Sequence, residues 1–265
     1  MHNFAFHKPG SVADAVKAIG AASDGKIIAG GQTLLPTLRQ RLAEPSDLID
    51  LGAIADLKGI KAEGDGVTIG AMTTHDEVAN SSVVKGAIPA LAHLAGHIGD
   101  RQVRYRGTIG GSLANNDPAA EYPSTVLGLG ATIRTNKREI KADDFFQGMF
   151  TTALEDGEII TAVHFPKPEK AGYEKFVQPA SRFALVGVFV AKTKSGVRVA
   201  VTGAGQEGVF RSKEVEAALS GSFTADAAKG AKVPAGNINS DLHGSAAYRA
   251  HLVSVLAGRA VTAAA

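Results

Sequence analysis

The chain has 265 residues, 45% of them hydrophobic and 20% charged, with a net charge of +2. That is the composition of an ordinary globular protein long enough for two packed domains. It gives no support for nucleic-acid binding, and no apolar run reaches the roughly 18 residues of a membrane span. Cysteine is absent, which excludes disulfides, a cysteine nucleophile, sulfur-linked cofactors and thiolate-held iron–sulfur clusters. A redox cofactor here must be organic or held by His and carboxylates. The opening Met1-His2-Asn3-Phe4 lacks a basic segment followed by an apolar one, so the reading is a cytoplasmic protein.

Taken in chain order, helices and strands alternate. Ser11 with Asp14 makes a capping-box start for a helix to about Ala22. Gly20-Ala21-Ala22-Ser23-Asp24-Gly25-Lys26 is a near-miss for a P-loop. Ile27 stands where a Mg²⁺-binding hydroxyl belongs and a helix precedes it, so the segment reads as a helix C-terminus with a glycine stop. Lys26–Ala29 is a short buried strand leading into Ala29-Gly30-Gly31-Gln32-Thr33-Leu34, and a helix with Pro36 in its first turn starts at about Thr33. Leu48–Leu51 and Val67–Gly70 read as strands. Thr74 and Glu77 form another capping box, and Ile88–Ile98 has helical apolar spacing. His93 and His97 share a helix face, but Leu94-Ala95-Gly96 between them lacks the Glu of a metalloprotease helix, which favours a surface or partly buried pair over a zinc site. Arg101, Arg104 and Arg106 face phosphates or an acidic partner, or lie on a solvated loop; the sequence leaves both open.

Thr108-Ile109-Gly110-Gly111-Ser112-Leu113 is a second glycine turn, and Asp117-Pro118 opens a helix as N-cap and first residue. Ala131–Thr135 and Glu158–Phe165 read as strands, with Pro166-Lys167-Pro168 the best linker candidate. Ala184–Thr193 and Val197–Thr202 form a hairpin around Ser195-Gly196. Gly203-Ala204-Gly205-Gln206-Glu207-Gly208 matches the dinucleotide fingerprint, but Val209-Phe210 continue extended where a helix must begin, so a loop is the better reading. Helical patterns at Lys213–Leu219 and Ser245–Val261 close a chain that is α+β in both halves.

The two glycine turns carry the functional signal. Each holds a Gly-Gly pair, a neighbouring hydroxyl and apolar flanks. Such a pair permits positive φ and brings consecutive backbone N–H groups close to a ligand, which suits phosphate oxygens. Two of them suit the two phosphates of one dinucleotide, and the chain reads as flavin-binding.

The stretch AGGQTLLPTLRQRL (29–42) resembles the first flavin-binding segment of the FAD-binding medium subunits of molybdenum hydroxylases, the carbon monoxide dehydrogenase- and xanthine dehydrogenase-like complexes. The resemblance continues through LIDLGAIADLKGI (48–60), IGAMTTHDEV (69–78), IGDRQVRYRGTIGGSLANNDPAAEYP (98–123), FFQGMFTTALEDGEIIT (145–161) and DLHGSAAYR (241–249). It implies an α+β fold: a two-part FAD domain of the vanillyl-alcohol-oxidase (PCMH) type over 1–177, divided near 56, and a smaller C-terminal domain over 178–265. It further implies that Ala29, Gly30, Gly31, Gln32, Thr33 and Leu34, with Thr108, Ile109, Gly110, Gly111 and Ser112, embrace the pyrophosphate and ribityl of a non-covalent FAD, with Asn115 beside them. Glu121, where many relatives have Asp, meets the sugar or ribityl; Ile160 gives backbone contact near the ring, Lys175 lies at its polar edge, and Tyr173 is a weaker candidate to cover it. Gln178-Pro179-Ala180-Ser181-Arg182 departs from the Arg-Arg-x-Gly-Asp of relatives, at the domain junction and acceptor surface.

The implied function is electron transfer. A large partner subunit carries the molybdenum cofactor, a small partner carries two 2Fe–2S clusters, and FAD on this chain passes electrons to a quinone, NAD or oxygen, in a dimer of heterotrimers. No residue here is then a general acid or base, and no metal is held. The alternatives are a stand-alone flavin oxidoreductase with its own substrate pocket and a partner protein that binds no cofactor.

Overall fold

The computed structural model describes residues 1–264. The first layer is a parallel sheet in which β1 (Ala5–His7) and β2 (Gly25–Ile28) flank β3 (Asp47–Asp50). The crossover helix α1 (Val12–Ala21) starts as the sequence predicts: the Ser11 hydroxyl accepts from the Asp14 N–H and donates to the Asp14 carboxylate. Its end differs, because Ala22 closes the helix in extended conformation and no left-handed glycine is used. After the first glycine turn comes α2 (Leu34–Arg39). Ala15, Ile49, Leu51, Ile54 and Leu57 make the small core under this layer, which also takes in Met72 and Ile159 from the next.

The second layer is an antiparallel sheet ordered β4-β5-β10-β6-β7. Its strands β4 (Ile60–Glu63) and β5 (Gly66–Gly70) lead into a run of short helices. These are α3 (His75–Asn80), α4 (Ser82–Ala87), α5 (Pro89–Gly96), α6 (Arg101–Arg106), α7 (Ile109–Asn115) and α8 (Tyr122–Leu129). The Thr74–Glu77 capping box at α3 is present in full. The arginine segment is a helix capped by Asp100 instead of a loop, and the second glycine turn is the first turn of α7. Asp117-Pro118 opens no helix: Asp117 Oδ1 accepts from the Ala119 N–H, and α8 starts only at Tyr122. The reason is tertiary, since the Pro118 carbonyl is taken by the Gly203 N–H and the Thr202 hydroxyl. The chain then adds β6 (Thr132–Thr135), β7 (Glu139–Lys141), α9 (Ala142–Phe145) and the hairpin β8 (Phe146–Gly148)–β9 (Thr151–Thr152). It returns through β10 (Ile160–Pro166), which pairs with both β5 and β6 at the centre of the sheet.

At Pro166-Lys167-Pro168 the chain changes sheet. β11 (Lys170–Val177), β12 (Ala184–Thr193), β13 (Gly196–Thr202) and β14 (Phe210–Arg211) form a meander in sequence order. The boundary expected at 177/178 thus falls in the turn between two paired strands, and β11 belongs to the meander with β12. Helices α10 (Lys213–Gly221), α11 (Ala225–Gly230) and α12 (Ala246–Ala263) complete this layer. Residues of a strand alternate between faces, and β12 uses both: Phe189 and Ala191 enter the large central core with Tyr122 and Leu127, while Val186, Val188 and Val190 pack with Leu252, Val253 and Leu256 of α12. The strand therefore reads as an unbroken apolar run.

α12 approaches β11 so closely that a Cβ at Gly172 would land on the Ala260 carbonyl. Gly172→Ala should lower unfolding stability by about 1–3 kcal/mol, the usual cost of overpacking, measured by urea denaturation.

Candidate functional site

A cleft of about 730 Å³ opens where the layers meet. Its walls come from the end of β2 and the following turn, from Ala71, Met72 and His75, from the start of α7, and from Ser181 and Phe183 of the β11–β12 turn. Of the residues expected from sequence, Ala29 through Leu34, Thr108, Gly110, Gly111, Ser112, Asn115, Glu121 and Ile160 all line it. Ile109 does not, being fully buried in the central core. Lys175 does not line it either, and Tyr173 is buried beside Phe189 instead of covering a ligand.

The four glycines serve different ends. Only Gly31 occupies the left-handed region, at φ +73°. Gly30 lies against the backbone of Arg106 and Gly107, where a Cβ would strike the Arg106 carbonyl, and Gly110 lies likewise against Ala71. At Gly111 an added Cβ would stand 3.0 Å from Thr108 Oγ1 and 3.4 Å from the Ala29 Cβ, in the gap between the two segments.

The backbone donors are also divided unequally. In the second segment they are consumed: the N–H of Ile109 goes to Thr73 O, that of Gly110 to Ala71 O, that of Gly111 to Thr108 Oγ1 and that of Ser112 to Thr108 O. Among the described residues, the N–H groups of Gly30, Gly31, Gln32 and Thr33 make no hydrogen bond within the chain. The first turn thus supplies the free donors, and the second supplies a side-chain-free wall and the Ser112 hydroxyl. This corrects the expectation of two equivalent donor turns: the N-cap geometry of Thr108 turns the second set inward.

At the far end stands a buried ion pair. Lys175 Nζ lies 2.6 Å from Glu121 Oε1 and also donates to the carbonyls of His97, at 2.7 Å, and Arg182, at 2.9 Å. Lys175 is thus behind Glu121, which itself faces the cleft. Burial pushes the Glu121 carboxyl up, and the Lys175 ammonium opposes that shift. Glu158, absent from the sequence-based set, also lines the cleft. Hydrogen bonds from the Arg138 guanidinium hold its carboxyl at about 2, aided by the Glu155 N–H and the Thr135 hydroxyl. Nothing in sequence marked Glu158 or His75, because each reaches the cleft through tertiary packing.

The remaining motifs resolve simply. Arg104 is spent on the Ile98 and Gly99 carbonyls, while Arg101 and Arg106 are exposed. His93 and His97 pack with ring centroids 4.2 Å apart and planes tilted by 41°, and no cluster of three or more His, Asp or Glu with metal-binding geometry is present among the described residues. Gly203–Gly208 is a loop between β13 and β14. No helix among the described residues is long and apolar enough to cross a membrane.

Free donors beside a left-handed glycine, a side-chain-free wall and a cleft of this volume suit a dinucleotide such as FAD. The family described as the FAD binding domain in molybdopterin dehydrogenase matches residues 2–168. The chain is 39% identical to the nicotine 6-hydroxylase medium subunit of Paenarthrobacter nicotinovorans, covering 97% of this chain and 95% of that protein. It is 35% identical to the carbon monoxide dehydrogenase medium chain of Hydrogenophaga pseudoflava, covering 98% and 96%. Its fold matches a chain of reconstituted CO dehydrogenase from Oligotropha carboxidovorans with a TM-score of 0.91 at 34% identity, covering 98% of this chain and 96% of that one. The chain belongs to this family of FAD-binding medium subunits of molybdenum-hydroxylase-type oxidoreductases, with their PCMH-type α+β fold.

Two outcomes test the electrostatics. Lys175→Met leaves Glu121 buried without its partner and should cost about 3–5 kcal/mol, most of it recovered in Glu121→Gln/Lys175→Met, as read by urea unfolding of wild type, Lys175→Met, Glu121→Gln and the double variant. Because the Glu158 carboxyl is depressed to about 2 from 4.5, its stabilisation is present in full above the unfolded value and disappears as pH falls towards the folded one. The stability difference between wild type and Glu158→Gln should therefore shrink steadily below about pH 4.5.

Proposed function

We propose that this chain is the flavoprotein subunit that links iron–sulfur clusters of a small partner to a terminal electron acceptor, while a large partner holds the molybdenum cofactor and oxidises the substrate. The relatives named medium subunit or medium chain support partners of both kinds. The absence of cysteine requires thiolate-held clusters to lie on another polypeptide. The acceptor is a quinone, NAD or oxygen, the assembly a dimer of heterotrimers, and the compartment the cytoplasm.

The observation that carries the reading is the row of free N–H groups from Gly30 to Thr33, which line the same cleft as Gly111. These donors would bind the diphosphate oxygens, and Gln32, whose amide donates to Gly30 O at 3.3 Å, would hold the turn in shape. Ser112, Asn115 and Glu121 would meet the ribityl and sugar hydroxyls. Ile160 and Ile98 would place apolar surface against the ring, and Lys175 would fix Glu121 in position from behind. Bound FAD supplies the redox chemistry, accepting and releasing electrons singly or in pairs. The protein's own task is to bind it, orient it and exclude water.

The purified chain should show a flavin absorption spectrum, alone or after addition of FAD, and heat should release the flavin intact. Gly111→Val should weaken FAD binding at least about a hundredfold, with an unchanged circular dichroism spectrum, because the β-branched side chain closes the gap to Ala29. A variant with full flavin affinity would remove that segment from the site.

A further inference from the structure

Exposed apolar side chains gather on one face beside the cleft. Met149 and Phe150 lie at the tip of the β8–β9 hairpin, and Phe176, Val177 and Phe183 flank the β11–β12 turn. Leu242 and Tyr248 come from the start of α12 and the turn before it. Met149, Phe150 and Phe183 line one groove with Asp241 and Arg249. The Phe176 ring meets that of Tyr248 edge-on at 6.2 Å. Leu242 sits in the turn closed by Asp241 and Gly244, and the Asp241 carboxylate holds Arg249 of α12 at 2.7 Å. The patch therefore runs unbroken from the hairpin of the second layer to the third.

Its size exceeds what a free surface ordinarily shows. With Leu242 91% and Phe150 57% exposed, and about 200 Å² for each such side chain when fully open, the patch amounts to roughly 700 Å². The largest apolar patch on a monomer is about 300–600 Å², and a stable interface takes about 800 Å² from each partner. Phe150 is also held out under strain, in the left-handed region at φ +55°. Asn116, the C-cap of α7, keeps it there: its carbonyl accepts from the Phe150 N–H, and its amide donates to the carbonyls of Gly148 and Thr151.

Position selects the occupant. Phe183 and Asp117 line both the groove and the cleft. Lys175 joins the Arg182 carbonyl, in the same turn as Phe183, to Glu121 and to the His97 carbonyl. The patch thus borders the end of the cleft where Glu121, Ile98 and Phe183 stand. Electron transfer weakens steeply with distance, so the chain that delivers electrons must dock beside the flavin, whereas the large partner is under no such constraint. A second copy of this chain, having no cysteine, brings no thiolate-held cluster.

We propose that this apolar face is the docking surface for the small iron–sulfur partner, with Phe150 and Leu242 as its anchors. The inference rests on the flavoprotein-subunit reading above and adds the place of contact to it.

The test uses the complex purified through a tag on this chain, with photoreactive p-benzoylphenylalanine replacing Leu242 or Met149 in turn. After illumination, mass spectrometry should find the cross-link on the chain that carries the cysteine ligands of the clusters. Cross-links to the large chain or to a second copy overturn the proposal, as does an intact complex with no cross-link from either position. A second measurement uses Phe150→Asp/Leu242→Asp, since Asp tolerates the left-handed region. Iron per mole of this chain in the purified complex should fall at least about tenfold, the scale of losing two central anchors. The circular dichroism spectrum and thermal midpoint of the variant chain alone should match wild type. Wild-type iron content overturns the proposal, and so does a lowered midpoint, because that assigns these residues to folding. Wild-type chain that purifies with no cluster-bearing partner would overturn the parent reading, whereas a normal wild-type complex with an indifferent double variant overturns only the docking surface.

Discussion

The site depends on a contact in which no side chain takes part, the approach of Gly30 to the backbone of Arg106 and Gly107. The turn after β2 and the loop before α7 are separated by over seventy residues and belong to different sheets, yet they meet main chain to main chain. A Cβ at Gly30 would occupy the Arg106 carbonyl, and one at Gly110 would press into Ala71. The first substitution would drive the two layers apart, and the second would push the start of α7 away from the end of β5, inside the second layer. Close-packed interiors do not absorb such shifts cheaply. The width of the cleft is thus set by glycine at the contact rather than by the residues that face the ligand.

The third layer is locked to the other two by different means. β12 has a core on each face, so it cannot move relative to α8 or α12 without opening one of them. From its neighbour β11, Lys175 reaches across to Glu121 and to the carbonyls of His97 and Arg182. One ammonium therefore ties the entrance to α8, the end of α5 and the β11–β12 turn to a single point. Removing two charges from water is expensive, and such pairs contribute little net stability compared with apolar residues of the same volume. What the arrangement gives here is placement: it fixes a carboxylate at the cleft and anchors a turn whose Ser181 and Phe183 form part of the wall.

Much of this was legible in the sequence because it is local chemistry. Ser11, Thr74 and the Ser195-Gly196 turn mark their elements through hydrogen bonds or dihedrals a few residues away. The apolar run of β12 and the proline-rich change of sheet are equally direct. The misreadings share one cause, competition from distant partners. Asp117-Pro118 has the residues of a helix start, but Thr202 and Gly203 claim the Pro118 carbonyl. Thr108-Ile109-Gly110-Gly111 has the residues of a phosphate-binding turn, but its N–H groups are used by Thr108, Ala71 and Thr73. Lys175 was placed at the cleft, though its ammonium is held behind Glu121. His75 and Glu158 carried no motif, because their relation to the cleft exists only once three layers are assembled.

The titratable groups around the cleft are poorly matched to proton transfer near neutral pH. Glu158 is clamped by Arg138 and stays ionised down to about 2, while His75 stays neutral down to about 4. A general acid or base works best when its pKa lies near the operating pH, and both groups lie well below neutrality. Glu121 is engaged by Lys175 instead of being free to exchange a proton with a ligand. The charge of the wall formed by His75 and Glu158 therefore stays constant across the neutral range. A group bound against that part of the wall meets a field that does not change with pH across the neutral range.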